Sequence, residues 1–155
     1  MNRKGFTLVE IMIVVAIIAL LAAIAIPNLL RARLGANETA AIGACKTIST
    51  AMENWRSRHN ANYAGASLAT LSGATPPYID QVLGAGTKQG YTFAIALGAV
   101  AGGKTIAYDC TATPITYQTT GERSFIVDES GVIWGADKGG AAMAAGDKVA
   151  ANVLE

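Results

Sequence analysis

Apolar residues follow three different patterns along this chain. From Ile11 to Ile26 sixteen of them run without a polar interruption, preceded by Phe6, Thr7, Leu8, Val9 and a single charge, Glu10. As a helix, the span from Phe6 to Ile26 rises about 31 Å, close to the hydrocarbon thickness of a bilayer. Helices of a small globule keep a polar stripe, so this run predicts a membrane-crossing or targeting segment. Pro27 should then kink the helix, and Asn28, Arg31 and Arg33 mark its emergence into water. Further on, Ile42, Cys45, Ile48, Met52 and Trp55 recur at three- and four-residue spacing, with Lys46, Glu53, Arg56 and Arg58 off that stripe. This is one apolar face of an amphipathic helix that needs a sheet to cover it. Helical throughout, Phe6 to Asn60 would measure about 82 Å, too long for a small globule to enclose.

The third pattern begins after His59, where residues 61–155 hold 14 of the 17 glycines and three of the four prolines. Ala64 to Gly90 reads as a loop region, in which Pro76-Pro77 opens a short helical turn through Tyr78, Ile79, Val82 and Leu83 that Gly84 closes. Tyr91, Phe93, Ile95 and Leu97 alternate with smaller residues; after a Gly-rich turn, Ile106, Tyr108, Cys110 and Ala112 alternate again until Pro114. A second hairpin is signalled by Ser124 to Val127, a turn at Asp128-Glu129-Ser130-Gly131, and Val132 to Trp134. Gly135 to Gly146 has no periodicity, and Asp147 to Leu154 is long enough for one or two helical turns. One long helix followed by roughly four antiparallel strands, without β-α-β alternation, predicts an α+β unit with the helix stripe on one sheet face.

Composition narrows the chemistry. The chain has 155 residues, 52% hydrophobic and 15% charged, with a net charge of +1. The 12 basic residues are spread along it without a basic stripe, so no nucleic-acid binding is predicted. One histidine and two cysteines are too few for a four-ligand Cys/His zinc site. Asp128, Glu129, Asp137 and Asp147 lack the spacing of a calcium loop, so neither a metal nor a cofactor is expected. Cys45 and His59 lie about 21 Å apart along one helix, out of reach of a catalytic dyad, and no catalytic residue is assigned. Cys45 falls on the inner helix stripe and Cys110 on the strand face shared with Ile106 and Tyr108. They are either a disulfide, worth about 4 kcal/mol on chain-entropy grounds, or two buried free thiols acting as small hydrophobes.

The amino terminus admits two readings. Asn2, Arg3 and Lys4 before an apolar run that ends in Ala23-Ile24-Ala25 resemble a cleaved secretory signal. Against that stands Glu10, since a charge in an inserted apolar helix costs about 2.5–3.5 kcal/mol at its centre and needs a partner. The run Lys4-Gly5-Phe6-Thr7-Leu8-Val9-Glu10 resembles the leader and helix start of the type IV pilin family, which includes the type II secretion pseudopilins.

That resemblance implies residues 1–5 as a prepilin leader, residues 6–27 as a transmembrane and filament-core helix, and residues 28–155 as amphipathic helix plus α+β head. It implies cleavage between Gly5 and Phe6 by a prepilin peptidase, N-methylation of Phe6, and an assembly role for Glu10, whose carboxylate would neutralise a neighbouring subunit's new amine. The partners it implies are membrane lipid before assembly, copies of the same chain in a helical filament, and an inner-membrane platform with its ATPase. The precursor would sit in the bacterial inner membrane with its N-terminus cytoplasmic, and the assembled filament would be periplasmic or at the cell surface. A type IV pilus subunit, a pseudopilin of a type II secretion system, and a secreted or membrane-anchored binding domain that never polymerises remain the three functional readings.

Overall fold

The computed structural model describes residues 5–149 and 152–154; Arg3 and Lys4, which fall in the expected leader, lie outside them. The chain divides into two compact units, Met1–Arg33 and Leu34–Glu155, and helix α1, Leu8–Arg58, supplies residues to both.

In the first unit, the described residues are helical from Leu8 onward, and all are exposed but Ala22, which is half-buried. The helix continues through Pro27, where the missing amide leaves the Ala23 carbonyl without its helical partner.

In the second unit the amphipathic stripe does what its spacing predicts. Cys45, Ile48 and Met52 are buried, together with Ala41, Ala44 and Ala51, while Ile42 and Trp55 pack at the margin of the same core. The three alanines are what the stripe hides in its small positions: without bulk there, helix and sheet backbones can approach closely. Two short helices complete the cover. α2, Leu68–Gly73, starts from Ser67 in a capping box with Thr70. α3, Gln81–Gly84, starts from Asp80, whose carboxylate accepts the Leu83 N–H. The expected turn therefore exists, but Asp80 opens it rather than Pro76-Pro77, because a carboxylate satisfies an amide that a proline merely lacks. α2 lies within the stretch expected to be loop.

The sheet is wider than expected. Its strands are β1 (Thr87–Lys88), β2 (Tyr91–Leu97), β5 (Tyr108–Pro114), β6 (Arg123–Asp128), β7 (Ile133–Asp137) and β8 (Asn152–Leu154), after β3 (Val100–Ala101) and β4 (Lys104–Thr105) have formed a separate two-stranded ribbon. The order is β1-β2-β5-β6-β7-β8, antiparallel at every step. The four expected strands form its centre, and two- and three-residue edge strands flank them. Ile106 is exposed and outside β5; its amide bonds to the Ala99 carbonyl in the connection instead. The tail forms a 3₁₀ turn at Ala145–Val149 and then β8, in place of helical turns only. Gly131, at φ 74°, supplies the left-handed residue of the β6–β7 turn. Gly135 is needed for space, since a Cβ there would stand 2.8 Å from Phe125 and from Leu154.

Each sheet face has its own cover. Tyr91, Phe93, Tyr108, Cys110, Ala112, Phe125, Val127 and Ile133 join the α1 stripe in one core. Ser124 and Ile126 alternate with these and are also buried, because the Ala/Gly-rich tail crosses the other face. There Ser124 donates a hydrogen bond to the Ala141 carbonyl at 2.7 Å.

Candidate functional site: the start of the long helix

The helix begins with a reciprocal cap. The Thr7 amide donates to Glu10 Oε2 at 2.8 Å, the Thr7 hydroxyl donates to the same oxygen at 2.7 Å, and the Glu10 amide donates back to Thr7 Oγ1 at 3.3 Å. Thr7 and Glu10 thus stand as the N-cap and third helical residue of a capping box. The pattern Thr-x-x-Glu carries this signal in the sequence, yet attention to Glu10 as an isolated charge conceals it. Both side-chain bonds fall on one carboxylate oxygen, and the pair is exposed. An acid at the first turn also faces the positive end of the helix dipole.

Beyond Glu10 the side chains offer no polar chemistry and a large apolar surface. Leu20 is 65% and Ile24 62% exposed, and the stretch is long and apolar enough to cross a membrane. Exposed apolar surface on this scale is covered by lipid or by protein in a working molecule.

The other candidate groups are accounted for inside the second unit. Cys45 and Cys110 are free thiols, fully buried in the one core between α1 and the sheet; a hydrogen bond that the Cys110 thiol donates to Cys45, with burial added, raises it well above its ordinary range. His59 is stacked on Trp55 with ring centroids 3.9 Å apart, and its Nδ1 lies 2.8 Å from the Trp55 carbonyl. Asp137 accepts the Tyr117 hydroxyl and Asp147 pairs with Lys138 at 2.9 Å. Asp128 pairs with Lys148 at 2.8 Å. Burial would raise Asp128, but the bonds from Lys148 and Ser130 outweigh it and hold the carboxyl below its ordinary value. Among the described residues, no three of histidine, cysteine, aspartate and glutamate converge on a point that could hold a metal ion.

Three groups missed by sequence reasoning tie α1 to its sheet. Glu38 accepts the amides of Glu122 and Arg123, each at 3.1 Å, and pairs with the Arg123 guanidinium at 2.8 Å. Asn37 donates to the Thr120 carbonyl at 2.9 Å. Partners 83 and 85 residues away leave no local pattern to read.

Residues 1–26 match the family described as the prokaryotic N-terminal methylation motif. This chain is similar to type IV pilins over part of its length. Its likeness to curated pilins is high and short. It is 68% identical over 38 residues to the type IV wide pilus major component of Thermus thermophilus, a stretch covering 24% of this chain and 29% of that protein. It is 44% identical over 54 residues to the type IV major pilin of Myxococcus xanthus, covering 35% of this chain and 24% of that one. A fimbrial protein of Moraxella nonliquefaciens is 48% identical over 58 residues, covering 35% and 38%. The chain thus spans between 24% and 38% of the length of these pilins, and no solved structure matches it significantly.

Proposed function

We propose that this chain is a structural subunit of a type IV pilus-like filament, and not an enzyme. The precursor is anchored in the membrane by the apolar half of α1. A prepilin peptidase cuts it between Gly5 and Phe6, Phe6 is N-methylated, and the processed subunits polymerise through that half of the helix, with Pro27 bending it. The observation that carries this reading is the exposed apolar helix beginning at a capped glutamate, within a segment that matches pilins. Cleavage leaves an amine at Phe6, and in an apolar surrounding that amine needs an anion. Glu10 supplies one: its Oε2 is engaged by Thr7, and its other oxygen is the one it turns to a neighbouring subunit's amine. Moving from membrane to filament exchanges lipid contacts for helix–helix contacts, and a head-to-tail interface that does not close grows a fibre. The assembly platform, its ATPase, and an N-terminus on the cytoplasmic side with the head outside belong to the same proposal. The relatives' names favour a pilus over a secretion pseudopilus.

Intact-mass and N-terminal peptide analysis of protein from the native membrane or sheared surface fraction tests the processing. The expected chain begins at Phe6 and is about 14 Da heavier than its sequence, from one methyl group. A start at Ile26 or at Met1 would sink the filament reading in favour of a secreted or anchored domain. For assembly, Glu10→Ala is expected to insert normally and to lower filament yield by at least about tenfold, because an uncompensated amine remains. Filaments at wild-type yield would remove Glu10 from the mechanism.

A further inference from the structure

We infer that Cys45 and Cys110 are joined by a disulfide in the exported protein, cross-linking the long helix to a central strand of the sheet. They are the two cysteines of the chain, 65 positions apart, on α1 and β5. Both are 0% exposed in one core, and one turn along α1 from Cys45 the Ser49 hydroxyl meets the hydroxyl of Tyr108, two residues before Cys110 on the same strand face, at 3.2 Å. A disulfide needs its two backbones close, with Cα atoms separated by about 4.4–6.8 Å. The surroundings provide for that closeness: Ala41 and Ala44 flank Cys45 on the buried helix face, and Ala112 follows Cys110 on the buried strand face. Cys110 stands opposite Ile95 on one side and Val127 on the other, so the link would enter the sheet at an interior strand rather than an edge.

The inference rests on the exported head of the proposed function, because thiols brought together outside the cytoplasm meet an oxidising environment. The oxidant is the disulfide of an extracytoplasmic dithiol–disulfide oxidoreductase. A Cys45 or Cys110 thiolate attacks it to give a mixed disulfide, and the second thiolate displaces the oxidoreductase's sulfur. The pair loses two electrons and two protons, one S–S bond forms, and the oxidoreductase leaves as its dithiol. In the folded head neither sulfur is accessible, so the exchange takes place while α1 docks on the sheet. Once formed, the bond is shielded from reductants until the head opens. The loop it closes contains α2, α3 and β1 to β4, and whatever load reaches the head along α1 passes covalently into β5.

The test uses the full chain from the native membrane or surface fraction, unfolded in urea with iodoacetamide. The expected result is no alkylation before reduction and two alkyl groups after it, with peptides 34–46 and 105–123 linked in a non-reduced tryptic digest. Two alkyl groups without reductant on half or more of the molecules overturn the inference. The same spectra report the N-terminus separately: a start at Phe6 with free thiols overturns the cross-link alone, whereas an uncut chain that is cross-linked overturns the filament reading alone. As a second readout, Cys45→Ala and Cys110→Ala should each melt of the order of 10 °C below the oxidised wild type and be insensitive to reductant. Variants melting with the wild type would also count against the bond.

Discussion

The two halves of α1 solve the same problem in opposite ways. Residues 34–58 hide one stripe, Ala41, Ala44, Cys45, Ile48, Ala51 and Met52, and leave Lys46, Arg56 and Arg58 to water. Residues 8–33 have no wet side between Ile11 and Ile26, and their large apolar side chains are exposed. A one-sided stripe announces that its cover is encoded in the same chain, as the β-sheet here. A helix apolar all round announces that its cover lies elsewhere, in lipid or in other copies. Stability should therefore be written in the second half and assembly in the first, and substitutions can separate the two.

The largest separation comes from removing the first half altogether. A chain starting at Leu34 should be a soluble monomer with a cooperative melt within about 2 °C of the intact protein's, yet form no filament. Calorimetry and electron microscopy read the two properties, and a truncated head that fails to melt cooperatively would show that the halves are not independent. At single-residue scale, Met52→Ala, at a site with 0% exposure, should cost about 3 kcal/mol. Ile18→Ala, at a site 60% exposed, should leave the melt unchanged and act only on membrane insertion and filament yield. Equal thermal losses from the two would end the comparison.

The sequence makes the same distinction visible, and its limits are equally physical. Uninterrupted apolarity and a three- and four-residue stripe are local signals that survive into the structure, and so are the alternating runs that became β2 and β5 and the turn between the runs that became β6 and β7. Two- and three-residue strands such as β1 and β8 have no period of their own; their conformation comes from pairing with β2 and β7. Ile106 continued an alternation that the ribbon of β3 and β4 interrupts. In the candidate site, Gly5, Phe6 and Glu10 are legible as a motif, and the Thr7–Glu10 cap was legible too. The Glu38–Arg123 tie was not, since it exists only once residues 85 apart are folded together.

That tie gives the next test, one that bears on the second half alone. Burial would raise the Glu38 carboxyl, but the Arg123 guanidinium and the amides of Arg123 and Glu122 outweigh it and hold it below its ordinary value. A carboxyl depressed in the folded state adds stability above its unfolded pKa, about 4.3, and loses it as the pH falls through the folded value. Glu38→Gln should cost about 2 kcal/mol at pH 7, with the gap to wild type closing below about pH 4. A gap that stayed constant with pH would mean that shape, not charge, joins Glu38 to the sheet.

The smallest effect concerns the other cover of the sheet. Asp109 and Asp128 face each other across β5 and β6, and like charges at such positions repel. Lys148, from the tail, stands 2.6 Å from one and 2.8 Å from the other, with its ammonium 5.3 Å from the centre of the Trp134 ring. Burial would lower the Lys148 pKa, but the two carboxylates outweigh it and raise it. Removing the cation in Lys148→Met should cost about 1–2 kcal/mol at pH 7. The sign of the pH dependence is more telling than the size. With the lysine present, Asp128 is held low and adds stability that is lost on acidification. Without it, the two facing carboxylates repel each other unrelieved and a proton taken up between them eases that repulsion, so the variant should gain stability as the pH falls from 7 to 5. Adding Asp109→Asn to Lys148→Met should restore part of the loss and flatten that slope. If the variant's stability instead falls with pH as the wild type's does, the tail covers the sheet by packing alone and the lysine is not what reconciles the two aspartates.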